Sequence, residues 1–249
     1  KISDESFLQN MINASRWWAQ YQIAKLGKPV DRDEWFMFPQ TYNAYYNPSN
    51  NEIVFPAAAF IIPGYQDHDL DDAVMYGYAG ASYIGHEITH GFDDQGRLYD
   101  AEGNLHNWWT SADSAAFAQR AALIVKQFNE YEPLPGYHIN GLATQGENIA
   151  DLGGIEIGID AFKNSKVFKE NRVINGYTPM ERFFMGYALS WLYKIRPEAL
   201  RRQLLTDVHS PAKYRVNGPF SNVNEFYKTY HLKTGDKMYR PDSLRVKIW

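Results

Sequence analysis

The sequence predicts a helix-rich α+β domain, and three observations carry that expectation. Helical spacing and helix-start signals recur in several long segments, one short run reads as a strand, and no internal repeat, low-complexity tract or Gly/Ser linker divides the 249 residues. With 45% apolar and 16% aromatic content the chain can bury a sizeable core, so one domain over residues 1–249 is the simplest reading.

The first helix is expected over Glu5 to Lys25, where Phe7, Ile12, Trp17 and Ile23 fall at helical spacing and Gly27-Lys28-Pro29 ends the run. Its apolar face is expected to pack on the body. After a Pro- and Asn-rich stretch, Asn51-Glu52-Ile53-Val54-Phe55-Pro56 is β-branched and aromatic and closes on proline, the pattern of an edge strand. Asp71 and Asp72 can cap a helix from about Ala73 to His90, with Gly91 at its stop. Gly77, Gly80 and Gly85 inside it cost helix propensity, so close packing of backbone or ligand must compensate. Thr110-Ser111-Ala112-Asp113 starts a helix that sets Phe117, Ala121, Ile124 and Phe128 on one face. A further helix begins at Thr178-Pro179-Met180-Glu181 and should reach about Ile195.

The bulk composition narrows the function classes. A net charge of -4 with interspersed signs offers no basic block for nucleic acid or an acidic membrane surface. No window approaches the roughly 18 to 20 apolar residues of a membrane span, and Lys1-Ile2-Ser3-Asp4 lacks an apolar signal core. An opening on Lys1 rather than Met reads as a processed product or a fragment of something longer. Without cysteine there are no disulfides and no thiolate ligands or nucleophiles, so any metal must be held by His, Asp or Glu.

His86-Glu87-Ile88-Thr89-His90 supplies such ligands. Residues four apart share a helix face, so His86 and His90 can both offer imidazole nitrogens to one zinc ion, which accepts them at about 2.0 Å and needs a third protein ligand. Glu87 projects beside the metal, where its carboxylate can take a proton from an activated water. In Gly146-Glu147-Asn148-Ile149-Ala150-Asp151, Glu147 and Asp151 are again four apart on an expected helix; one carboxylate can ligate while the other orients a ligand imidazole. Thr206-Asp207-Val208-His209-Ser210-Pro211 places His209 in a polar loop, where it can donate to an oxyanion with Asp207 holding it, and Arg215 follows as a clamp for a substrate carbonyl or carboxylate.

These three motifs, together with Asn43-Ala44-Tyr45-Tyr46 and Asn51-Glu52-Ile53-Val54-Phe55-Pro56-Ala57, resemble the neprilysin and endothelin-converting-enzyme family of zinc endopeptidases over nearly the whole chain. The resemblance implies a thermolysin-like zinc metallopeptidase catalytic domain with one zinc per chain and Glu147 as third ligand. It implies that Asp151 is the partner of His86, that His209 stabilises the transition state, and that Arg215 binds a carbonyl on the leaving-group side. Asn43 and the Ala44 backbone would hold the substrate peptide, which would add itself to the edge of the small sheet. Trp191 matches one aromatic wall of a pocket that accepts an apolar residue after the scissile bond.

The resemblance further implies peptide substrates and a periplasmic, cell-surface or secreted location. The lack of cysteine favours a bacterial member over the disulfide-bonded animal ones. The family's large helical N-terminal domain has no counterpart here and is expected as a separate or cleaved piece, the protein otherwise being a monomer. Two rival readings remain: a binding module of the same fold without turnover, and a zinc hydrolase acting on a non-peptide carbonyl.

Overall fold

The computed structural model describes residues 1–248. The chain forms two compact units, Lys1–Phe36 and Met37–Trp249.

The first unit is built on helix α1 (Phe7–Ile23), capped by the Ser6 side chain, which accepts from the Gln9 N–H. Near its end, the Tyr21 hydroxyl donates to Glu34 at 3.0 Å, and just past it Lys25 Nζ donates to the same carboxylate at 2.6 Å. The helix forms as its spacing predicts, and within this unit its apolar residues Phe7 and Trp17 lie on the surface. Periodicity marks a face that would gain from cover without saying what covers it.

The second unit opens on a hairpin, β1 (Tyr45–Asn47) against β2 (Glu52–Val54), antiparallel with Tyr46 opposite Ile53. Asn51 turns the chain with φ 47°, a left-handed conformation that Asn tolerates better than most side chains. The strand expected over residues 51–56 is thus three residues long, in a two-stranded sheet.

The helix expected from Ala73 to His90 is three continuous pieces: α2 (Asp72–Met75), a π-helical stretch (Tyr76–Gly85) and α3 (His86–His90). Asp71 sits at its N-cap position but makes no side-chain cap; instead its carboxylate accepts from Arg182 Nε at 2.5 Å. Close backbone packing does account for two of the three glycines. A Cβ on Gly85 would lie 2.6 Å from the Gly154 carbonyl oxygen, and one on Gly77 would overlap the Phe183 carbonyl, whereas Gly80 meets nothing tight.

Helix α4 (Ser111–Asn129) is capped by Thr110 and buries Phe117, Ala121, Ile124 and Phe128, the face the sequence selects. Helix α5 (Gln145–Asn164) runs through the centre, burying Ile149, Leu152, Ile155, Ile159 and Phe162. Short α6 (Lys166–Glu170) leads to α7 (Pro179–Leu189), which starts with the full capping box of Thr178 and Glu181. It stops at Leu189, short of Ile195; beyond it Trp191 still packs against the core, whereas Leu192 is 80% exposed. Helices α8 (Pro197–Thr206), α9 (Ala212–Phe220) and α10 (Asn224–Tyr230) complete the unit.

The core joins α4, α5 and α7 to the last two helices. Phe162 stacks on Phe183 at 5.5 Å, and Phe184 meets Phe220 edge-on at 5.0 Å. Each fully buried apolar side chain here contributes about 1.5–3 kcal/mol, and together they clamp α5 against the π-helical stretch and α3.

Candidate active site

Two helix faces meet at the site. On α3, His86 and His90 share a face; on α5, so do Glu147 and Asp151. The facing Gly85 and Gly154 let the two backbones approach closely enough for these faces to touch. His86 Nε2 lies 3.0 Å from His90 Nε2 and 3.4 Å from Glu147 Oε2, and His90 Nε2 lies 3.7 Å from Glu147 Oε1. Potential ligand atoms of His86, His90 and Glu147 all fall within 4.8 Å of one another.

The far side of each imidazole meets a carboxylate. His86 Nδ1 is 3.0 Å from Asp151 Oδ1, and His90 Nδ1 is 2.7 Å from Asp93 Oδ2. Asp93 is itself fixed, its other oxygen accepting from the Gln95 and Gly96 N–H groups at 2.8 and 2.7 Å. Sequence reasoning missed Asp93, although its position three residues after His90 on a helical turn was a usable signal.

Arg215 of α9 donates from Nε to Asp151 Oδ2 at 2.7 Å, and from one terminal nitrogen to Asp151 Oδ1 at 2.8 Å and Glu147 Oε2 at 3.2 Å. Its guanidinium lies 4.0 Å from the centre of the Trp191 ring, which sits just past the end of α7 rather than inside a helix. His209 Nε2 reaches to 3.3 Å from Glu147 Oε1, while Asp207 Oδ1 accepts from the His209 backbone N–H at 2.9 Å and lies 2.7 Å from Nδ1.

The loop carrying His209 is tied to α5 by groups that spacing could not reveal. Ser210 donates to Asn148 Oδ1 at 2.8 Å, and Asn148 donates to Thr144 Oγ1 at 2.9 Å; Ser210 and Asn148 are buried.

Burial pulls the His86 imidazole toward neutrality, but hydrogen bonds to Asp151 and Glu147 outweigh it and hold the group up at about 9. Burial likewise disfavours the ionised Glu147, yet His86 and Arg215 keep its carboxyl well below the usual range. Asp151 is also lowered, Arg215 overcoming its complete burial. Glu87 goes the other way: burial raises it, against the pull of His86 and His90.

His86, His90, Glu147 and Arg215 open onto one cleft of about 720 Å³, which Asn43, Ala44, Tyr83, Glu87, Trp191 and His209 help to line. Every residue singled out from the sequence except buried Asp151 is on its wall, and Asp151 lies directly behind His86.

The sequence pattern of Peptidase family M13 matches residues 43–246, most of the chain and every group of the site. The chain belongs to peptidase family M13. Among M13 relatives, an endothelin-converting enzyme homolog of Locusta migratoria is 37% identical over 242 residues, covering 96% of this chain and 33% of that protein. Neprilysin-11 of Caenorhabditis elegans is 41% identical over 235 residues, covering 92% of this chain and 28% of that one. The chain therefore spans about a third of the length of these relatives.

Solved structures agree. The Mycobacterium tuberculosis zinc metalloprotease Zmp1, in complex with an inhibitor, superposes with a TM-score of 0.86 at 46% identity, over 92% of this chain and 36% of that one. PepO from Lactobacillus rhamnosis superposes at 0.87 with 37% identity, over 99% and 37%. Both come from bacteria, in line with the bacterial character read from the absence of cysteine.

The donor set suits the metal that M13 peptidases use. Asp151 and Asp93 stand beside the Nδ1 atoms, and both Nε2 atoms turn toward each other and toward the Glu147 carboxylate, so a cation between them would meet two imidazole nitrogens and a carboxylate oxygen. Two His nitrogens and one carboxylate oxygen are a ligand set of catalytic rather than structural zinc sites.

Proposed function

We propose that this chain is the catalytic portion of a zinc-dependent endopeptidase acting on oligopeptides. The observation that carries the reading is the convergence of His86, His90 and Glu147 on one point of a cleft that Glu87 and His209 also line. A zinc ion held by those three residues would supply Lewis acidity toward a water molecule and a peptide carbonyl.

The chain's own residues do the rest. Glu87, raised by burial, accepts the water proton and returns it to the nitrogen of the leaving amine. His209 donates from Nε2 to the developing oxyanion, with Asp207 beside Nδ1 holding the ring in place. Asp151 and Asp93 hold the two ligand imidazoles in the orientation that leaves each Nε2 free for the metal.

Asn43 and the Ala44 backbone, at the entrance to β1, are suited to hold an extended peptide along the hairpin, and Trp191 offers ring surface to a substrate side chain. Arg215 meets the cleft with its guanidinium committed to Asp151 and Glu147, so its contribution to substrate binding comes with a role in fixing those carboxylates. The thermolysin-like architecture and the location outside the cytoplasm belong to the same proposal. Among the described residues no helix is long and apolar enough to cross a membrane.

Metal analysis combined with a quenched fluorogenic peptide assay tests the reading. One zinc per chain and cleavage abolished by a chelator and restored by zinc are expected; bound zinc without chelator-sensitive cleavage would show a binding module instead.

A further inference from the structure

Ser82 and Ser190 come from the π-helical stretch and the end of α7, and both line the cleft that holds Glu87. Their Oγ atoms are 2.9 Å apart. Both also turn toward one acceptor, the Tyr78 carbonyl oxygen, which Ser82 contacts along the helix and Ser190 reaches at 3.3 Å.

A hydroxyl carries one hydrogen and two lone pairs. With Ser82 donating to the Tyr78 carbonyl, Ser190 donates either to Ser82 Oγ or to that same carbonyl, so both hydrogens are used within the cluster. What remains is acceptor capacity, on a pair whose Ser82 member is only 6% exposed. Tyr83 and Trp191, each the next residue along the chain, line the same cleft and add ring surface to its wall. Nearby, Arg215 has directed donors to Asp151 and Glu147, while Glu87, Glu147 and Asp207 add further acceptors to the wall.

We propose that the Ser82–Ser190 hydroxyl pair is a specificity-determining site, selecting a substrate side chain that ends an apolar stem with an N–H donor, as glutamine does. The proposal rests on the peptidase reading and narrows its apolar preference. A wholly apolar side chain strips water from the hydroxyl lone pairs and replaces it with nothing, and a carboxylate brings acceptors against acceptors. A side chain with a terminal amide satisfies both the rings and the pair.

The test uses the zinc-loaded protein and fluorogenic peptides identical except for Gln, Met or Glu at one position, placed in turn on either side of the cleaved bond. These three stems are nearly isosteric. At one of the two positions, kcat/KM for Gln should exceed that for Met by about two- to tenfold, the worth of one neutral hydrogen bond, with Glu lowest. In the Ser82→Ala/Ser190→Ala protein the order should become Met above Gln. Ser190→Ala alone gives the same shift in weaker form if the double variant does not fold, and Ser190→Thr, which keeps the hydroxyl, should retain the native order. Preference for Met at both positions in the native protein, or an order that survives loss of both hydroxyls, overturns the proposal. If no peptide is cleaved in a chelator-sensitive way, the peptidase reading itself fails and the proposal falls with it.

Discussion

Asp151 and Arg215 form a two-pronged ion pair in which Nε and a terminal nitrogen bind the two carboxylate oxygens at 2.7 and 2.8 Å, and both side chains are buried. The same carboxylate stands 3.0 Å from Nδ1 of His86, so the residue behind this imidazole is itself held by the arginine. Replacing Arg215 by Met leaves a buried carboxylate uncompensated and should cost about 3–5 kcal/mol, read as a shift in the urea midpoint. Lys should rescue poorly, having no fork to match the two oxygens. Since Asp151 is held below its ordinary value, its contribution is complete above about pH 4 and is lost as the pH falls through the lowered folded-state value.

Glu87→Gln should reduce kcat by orders of magnitude while zinc stoichiometry stays at one per chain, because Glu87 lies outside the ligand cluster. Cleavage at near-native rate by this variant would remove Glu87 from the role of base.

His209 should depend on groups it does not touch. Ser210→Ala deprives the buried Asn148 Oδ1 of its donor and loosens the loop that carries His209, so kcat should fall while KM changes little. Combined with His209→Ala, the serine change should add almost nothing; full additivity in this double-mutant cycle would mean that Ser210 acts elsewhere.

Asp93→Asn should weaken zinc binding by about 10–100-fold, because it removes the charged partner of His90 Nδ1. Competition with a chromogenic chelator measures this directly. Removing the metal should also lower the thermal midpoint of the native protein, since a ligand at 100 times its dissociation constant stabilises the folded state by about 2.7 kcal/mol.

Gly85→Ala should be more damaging than an ordinary helical Gly→Ala change, which stabilises. The added Cβ would meet the Gly154 backbone at 2.6 Å, and α3 must move off α5 to admit it. A cost of about 1–3 kcal/mol from overpacking and weaker zinc binding are expected together; Gly80→Ala, with no neighbour closer than 3.7 Å, is the control that should do neither.

The sequence by itself determined which candidate site residues share a helix face. The spacing of His86 with His90, and of Glu147 with Asp151, sets each pair on one helix face whatever surrounds it, and the caps at Thr110 and Thr178 mark where helices begin. These are local properties of the backbone, which is why they can be read without a structure. What only the tertiary structure decided is what each face meets. The commitment of Arg215 to Asp151 joins residues 64 apart, the Ser82–Ser190 pair joins residues 108 apart, and Asn148 reaches Ser210 across 62. The same holds for α7, which ends at Leu189 although helical spacing continues toward Ile195. Periodicity is set by geometry within a helix, whereas partners are set by the close packing of elements far apart in the chain, which no single segment encodes.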